Sequence, residues 1–254
     1  MPIEYQKEGH IAIFTINNPE VMNALSPQQV AEWTEALIDF RENKDLWVGI
    51  VTGAGDRAFC TGLDLRSAGP QSGGGPSPQP QETLVRGLKL WKPLIAAING
   101  YALGGGLEIA LACDIRIASD NARLGLTEVT LGLMPGWGGT QRLPRLIPFS
   151  IAAEMMIMGK RITAQEALEI HLVHQVVPQA DLMATAKERA EKICESAPLA
   201  VAAVKEAMIR GYSMTLEEGL QLETELGRSV LASKDFAEGR KAFMEKRKAE
   251  YKGE

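Results

Sequence analysis

Near the start of the chain, apolar residues first alternate with polar ones and then run together. Ile3 and Tyr5 on one side, and the run from Ile11 to Ile16 on the other, flank Glu8, Gly9 and His10, which predicts a hairpin of two strands. Ser26 and Pro27 supply an N-cap and a proline at the first helical position, and Val30, Trp33, Leu37 and Phe40 mark one face of a helix reaching about Asn43. Residues 46–52 read as a short buried strand that stops at Gly53, so the opening is ββαβ. Residues 58–65 are a short apolar piece. From Arg66 to Gln81, Gly, Pro, Ser and Gln dominate and leave little to bury, which predicts a mobile segment. Helical character returns over 82–91 and stops before Pro93. A strand over 94–98 leads to three glycines and an apolar helix over 107–113, and 115–118 and 123–125 read as further strands. Helices are then predicted over 139–146, 150–159, 164–169, 180–196, 198–211, 215–233 and 235–251. The change of character at Ala197 and Pro198 predicts an α/β body over 1–197 and a helical region over 198–254.

The candidate chemistry lies in the middle of this pattern. Glu108 interrupts a helix that is otherwise apolar on nearly every side, and burying an ionised carboxylate is costly unless it is paired, hydrogen-bonded or neutralised. Gly104, Gly105 and Gly106 stand at the start of that helix, where unpaired N–H groups and the positive end of the dipole can receive an oxygen anion. Glu128 follows in a second mostly apolar run, and Pro135-Gly136-Trp137-Gly138-Gly139-Thr140 makes a donor-rich turn. Each feature alone has an ordinary explanation. Triple glycines usually serve packing, a single glutamate often extends its tip to solvent, and Gly62 more often makes a plain turn than one that aims the next N–H at a ligand. Together, two carboxyls and donor-rich turns are the parts of an acid/base site acting on a carbonyl compound. The glycines do not fit the dinucleotide fingerprint.

Composition narrows the partners. At 254 residues, 45% of them hydrophobic, the chain can bury a large core, and its net charge of −5 leaves no general basic excess for nucleic acid. Cys60, Cys113 and Cys194 are widely spaced without a CxxC pair, which suggests reduced, packed thiols. No basic segment followed by an apolar stretch marks the N-terminus, and no apolar run is long enough to span a membrane, so a cytoplasmic protein is expected. His171 and His174 are good ligand types without an evident third, so no metal site is expected, and no histidine is obviously placed to activate Cys60.

These residues carry a resemblance that extends along essentially the whole chain. Asn23-Ala24-Leu25, the piece Ala58-Phe59-Cys60-Thr61-Gly62-Leu63-Asp64-Leu65, the segment from Asn99 to Glu108, Cys113-Asp114 and the turn from Pro135 to Thr140 resemble the crotonase (enoyl-CoA hydratase/isomerase) superfamily. The resemblance implies an α/β spiral of ββα units, with a C-terminal helical region that packs trimers, commonly paired into hexamers. It implies that the N–H groups of Leu63 and Gly105 grip the carbonyl of an acyl-CoA thioester. Glu108 would activate a water and Glu128 would protonate the α-carbon, giving hydration of a 2-enoyl-CoA. Ala24, Leu25, Gly62 and Leu65 would contact the substrate, and Phe243 and Lys246 would approach the CoA adenine and phosphates, often across a subunit boundary. Coenzyme A enters as part of the substrate and no separate cofactor is implied. An isomerase or another crotonase-type acyl-CoA enzyme is the alternative within the superfamily, and a non-catalytic scaffold or RNA-binding protein is the alternative outside it. Leu63 stands where relatives often have alanine, which is expected to narrow the acyl pocket. His171 and His174 stand where relatives often read Gly-Leu-Val-Asn, so a different helix end is expected there.

Overall fold

The computed structural model describes residues 3–67 and 82–254. The glycine- and proline-rich stretch, expected to be mobile, lies outside the described residues from 68 to 81. Strands β1 (Ile3–Glu8) and β2 (Ile11–Ile16) form the antiparallel hairpin, with Ile3 opposite Ile16 and Glu8 opposite Ile11. Helix α1 (Pro27–Glu42) starts at a capping box in which Ser26 and Gln29 satisfy each other's backbone N–H groups. Its buried stripe is Val30, Trp33, Leu37 and Phe40 as the spacing predicts, and Phe40 meets Phe14 of β2 edge-on, with ring centroids 5.7 Å apart.

From there the chain alternates between two sheets. β3 (Val48–Gly53) joins β2, and β4 (Ala58–Cys60) starts a second sheet. β5 (Leu94–Ile98) returns to the first and β6 (Tyr101–Leu103) to the second, and after α2 (Gly105–Ala112) β7 (Ile115–Ser119) and β8 (Arg123–Gly125) repeat the step. Each repeat advances one place in both sheets, and the path is therefore a spiral. Helices α3 (Gly139–Leu146), α4 (Phe149–Ile157) and α5 (Ala164–Glu169) and strands β9 (Arg161–Thr163) and β10 (Gln175–Val177) complete the body. The sheets run β1-β2-β3-β5-β7-β10 and β4-β6-β8-β9.

The parallel strands read as continuous apolar runs because both faces of the larger sheet are covered. Ile13, Ile50, Ile95 and Ile117 face α6 (Leu182–Cys194) through Leu182, Ala186 and Ala190. Phe14, Val51, Ala96 and Ala118, pointing the other way, belong to the main core. Buried Asn99 locks the corner where the chain changes sheets. Its amide donates to the carbonyls of Gly53 and Gly55, both at 2.8 Å, and its oxygen accepts the Gly53 N–H at 3.0 Å.

Helices α7 (Pro198–Gly211), α8 (Leu216–Leu231) and α9 (Lys234–Glu245) follow. The half-buried Lys205 ties α7 to the body through the Asp114 carboxylate at 2.8 Å. Among the described residues no helix is long and apolar enough to cross a membrane.

Three local expectations change. Residues 82–91 are not helical: Thr83 and Arg86 exchange backbone hydrogen bonds, and Gly87 at φ +85° turns the chain so that Val85 and Leu90 are buried. Helix α9 stops at Glu245 rather than near Tyr251, because Lys246 takes the left-handed conformation and the Asp235 carboxylate accepts the N–H groups of Lys252 and Gly253. Short strands β4, β6, β9 and β10 are not predicted; pairing with distant strands, not local pattern, defines them.

Candidate active site

Helix α2 is buried on almost every side, and Glu108 with it, at 2% exposure. Its carboxylate does not reach solvent. Instead Oε1 accepts the backbone N–H groups of Trp137 and Gly139, both at 2.7 Å. The donor-rich turn expected to serve a carbonyl substrate therefore holds Glu108. Burial pushes the Glu108 carboxyl above its ordinary range, while the two N–H bonds and the charges of Arg142 and Arg86 oppose that push.

Glu128 opens a short 3₁₀ turn (Glu128–Leu131) just beyond β8. Its Oε2 is buried and has no hydrogen-bond partner among the described residues. Burial raises its pKa as well, its own backbone N–H opposes that rise, and the nearby charge of Glu108 adds to it. The two carboxyls thus sit in different settings, one clasped by two amides of a distant turn and one with an oxygen left unpartnered.

Leu63 is held by a parallel bridge to Leu25, in which Leu25 N–H donates to Gly62 O at 2.8 Å and Asp64 N–H to Leu25 O at 2.9 Å. This pattern leaves the Leu63 N–H on the opposite side. Neither it nor the Gly105 N–H, the first of α2, meets an acceptor among the described residues. A cavity of about 220 Å³ is lined by Leu63, Gly105, Glu108 and Glu128 together, with Leu65, Leu131, Leu133, Met134 and Trp137 as apolar wall. Two open amides and two carboxyls, in a largely apolar pocket, can bind a carbonyl oxygen and move protons at the carbons beside it.

Leu63, Leu65, Gly105, Glu108 and Glu128 thus converge on one cavity. Gly62 lies against Gly105 in the wall behind it. Ala24 and Leu25 are buried behind the Leu63 turn and do not line the cavity. Phe243, 86% exposed, and Lys246, at the end of α9, do not line it either. Sequence reasoning missed the wall formed by Leu131, Leu133 and Met134. Their apolar run just after Glu128 was the available signal. It also missed the two arginines near Glu108, for which no local signal exists.

The remaining candidates separate from this site. Burial pushes the thiols of Cys60 and Cys113 up to about 12, which leaves them protonated and unsuited to nucleophilic attack. His174 Nδ1 accepts the Arg116 N–H at 3.2 Å, and burial lowers its pKa, consistent with a neutral structural ring. His171 adopts φ +59° just beyond α5. No group of three or more metal-ligand side chains occurs among the described residues.

Residues 6–254 match the enoyl-CoA hydratase/isomerase family. The chain belongs to that family. It is 44% identical to the (E)-benzylidenesuccinyl-CoA hydratase of Thauera aromatica, with all of both chains covered. It is 42% identical to the short-chain-enoyl-CoA hydratase of Clostridium acetobutylicum, over 96% of this chain and 95% of that one. The crystal structure of an enoyl-CoA hydratase from Bacillus anthracis superposes over all of both chains with a TM-score of 0.92 at 42% identity. The spiral is therefore the crotonase fold of this enoyl-CoA hydratase/isomerase family, and the protein is a crotonase-type enzyme.

Proposed function

We propose that the protein adds water across the double bond of a 2-enoyl-CoA thioester to give a 3-hydroxyacyl-CoA. The observation that carries this reading is the meeting of both glutamates and both open amides in one cavity. The thioester oxygen accepts from Leu63 and Gly105, which draws electrons from the conjugated double bond. Glu108, the carboxyl supported by amides and arginine charge, takes a proton from water as the oxygen bonds to the β-carbon. The charge gathers on the thioester oxygen as an enolate, where fixed donors stabilise the transition state more than the ground state. Glu128, whose Oε2 lies buried without a partner and whose carboxyl burial pushes above its ordinary range, delivers a proton to the α-carbon. Water's hydroxyl and the two proton transfers balance the addition, and the step uses no group beyond substrate, water and these residues.

Gly62 shapes the turn that presents the Leu63 N–H, Ala24 and Leu25 support it from behind, and Leu65 with Met134 and Trp137 bounds the acyl group. The helical region over 198–254 provides the assembly surface of a trimer or hexamer. Exposed Met208, Tyr212, Leu216, Phe243 and Met244 support this, since apolar side chains crowd onto helices that bury little within one chain. Phe243 and Lys246 then reach the CoA end of a neighbouring subunit's substrate.

The test is a panel of 2-enoyl-CoA thioesters of increasing length, branching and aromatic character, followed by loss of the absorbance of the conjugated double bond. Hydration of at least one supports the reading. Isomerisation of a 3-enoyl-CoA with no hydration of any thioester overturns it in favour of an isomerase.

A further inference from the structure

The turn that clasps Glu108 is itself clasped from behind. The exposed side chain of Arg86, in the loop before β5, donates from Nη2 to the Gly136 carbonyl at 3.1 Å. Arg142 of α3 donates from Nη1 to the Trp137 carbonyl at 2.9 Å and from Nη2 to the Val85 carbonyl at 2.8 Å. The two loops therefore exchange arginines: one from the 83–87 turn grips residue 136, and one beyond the 136–139 turn grips residue 85. Gly138, at φ +101°, makes room for this arrangement, since a Cβ there would collide with Arg142 Nη1. On the opposite side of the turn, a Cβ at Gly139 would meet Glu108 Oε1 at 3.1 Å.

One peptide unit links arginine to glutamate directly. The Gly136 carbonyl that accepts from Arg86 belongs to the same peptide plane as the Trp137 N–H that donates to Glu108. A charged donor on the carbonyl polarises the N–H at the other end and strengthens its bond to the carboxylate.

We propose that Arg86 and Arg142 are positioning residues that hold Glu108 aimed into the cavity and ionised, acting through the 136–139 turn. The proposal rests on the reading of Glu108 as the base. The charged groups around Glu108 agree with it: Arg142 from α3 and Arg86 from the 83–87 turn favour the carboxylate, and Glu128 is the opposing neighbour. Cys60 on β4 and Cys113 after α2, both pushed up to about 12, carry no charge at working pH.

The experiment compares the unaltered protein with R86Q, R86K, R142Q and R142K. Hydration of but-2-enoyl-CoA is measured against pH, and affinity for the unreactive butyryl-CoA is measured alongside. In glutamate-13C-labelled protein the Glu108 carboxyl is titrated by NMR, with E108Q identifying its signal. Loss of an arginine charge should move the acid limb of kcat/KM and the Glu108 midpoint upward together, by about one pH unit, as expected for a nearby opposite charge. R86K should recover part of the shift, and butyryl-CoA affinity should stay within about twofold. Because Arg86 is exposed, R86Q keeps the test open even if R142Q fails to fold. An unmoved Glu108 midpoint in folded R86Q overturns the proposal, as does a loss of activity in R86Q without any movement of the acid limb. Absence of hydration of every thioester in the panel by the unaltered protein overturns the reading of Glu108 as a hydratase base, and the NMR midpoints then show separately whether the arginines control its ionisation.

Discussion

A Cβ placed on Gly62 would lie 2.8 Å from the amide nitrogen of Gly105. The two turns that present the open amides therefore touch backbone to backbone, and Gly62 at φ +92° is held where side chains are rarely tolerated. Gly62→Ala should displace both donors at once. If one such donor is worth about 3 kcal/mol, turnover of a 2-enoyl-CoA should fall by about 100-fold or more. Leu63→Ala keeps the backbone N–H and should cost much less. Steady-state kinetics with a circular-dichroism check of folding decides this, and equal losses in the two variants would assign the effect to the Leu63 side chain.

The two carboxyls should divide the chemistry. Glu108→Gln and Glu128→Gln each preserve size and should each reduce hydration by about 100-fold or more while ligand binding persists. The double variant should lose clearly less than the product of the single losses, because both groups act on one addition. Glu128→Gln should also abolish deuterium exchange at the α-carbon of a saturated acyl-CoA, with some exchange left in Glu108→Gln. Near-normal hydration in either single variant would sink the two-carboxylate mechanism.

Glu128 should also lower stability at neutral pH. An unfolded glutamate titrates near pH 4.3. Burial raises the folded value, so below about pH 4 both states are protonated and the residue has little effect. As pH rises through the interval between the two values the unfolded chain loses its proton first, and stability falls until the folded carboxyl also ionises. Glu128→Gln should therefore melt at nearly the same temperature as the unaltered protein at pH 4 and at a higher one at pH 8. A difference in Tm independent of pH would show that Glu128 is not ionised at a cost in the fold.

Phe243 should report on assembly. At 86% exposure it holds nothing in place within one chain, so Phe243→Asp should leave the subunit folded. Sedimentation velocity should show smaller particles, and affinity for CoA esters should weaken with them. An unchanged sedimentation coefficient with unchanged affinity would remove α9 from both roles.

Much of the framework was legible in the chain itself. The α1 stripe, the β1–β2 hairpin, the limits of α3, α5 and α7, and the conspicuous Glu108 in an apolar helix all follow from spacing within a few residues, because a helix or strand face is a local periodicity. The motifs from Asn23 to Thr140 were enough to point to the family. The partners of these residues could not be read from spacing. Residues 82–91 look helical in isolation, yet Gly87 and the burial of Val85 and Leu90 override that preference. Strands β4, β6, β9 and β10 exist only through pairing with distant neighbours. That the Pro135–Thr140 turn gives its amides to Glu108, that one oxygen of Glu128 is left without a partner, and that two arginines grip that turn from behind are consequences of folding the spiral. Hydrogen bonds and burial between segments far apart in sequence decide them, and no local pattern encodes which distant group will arrive.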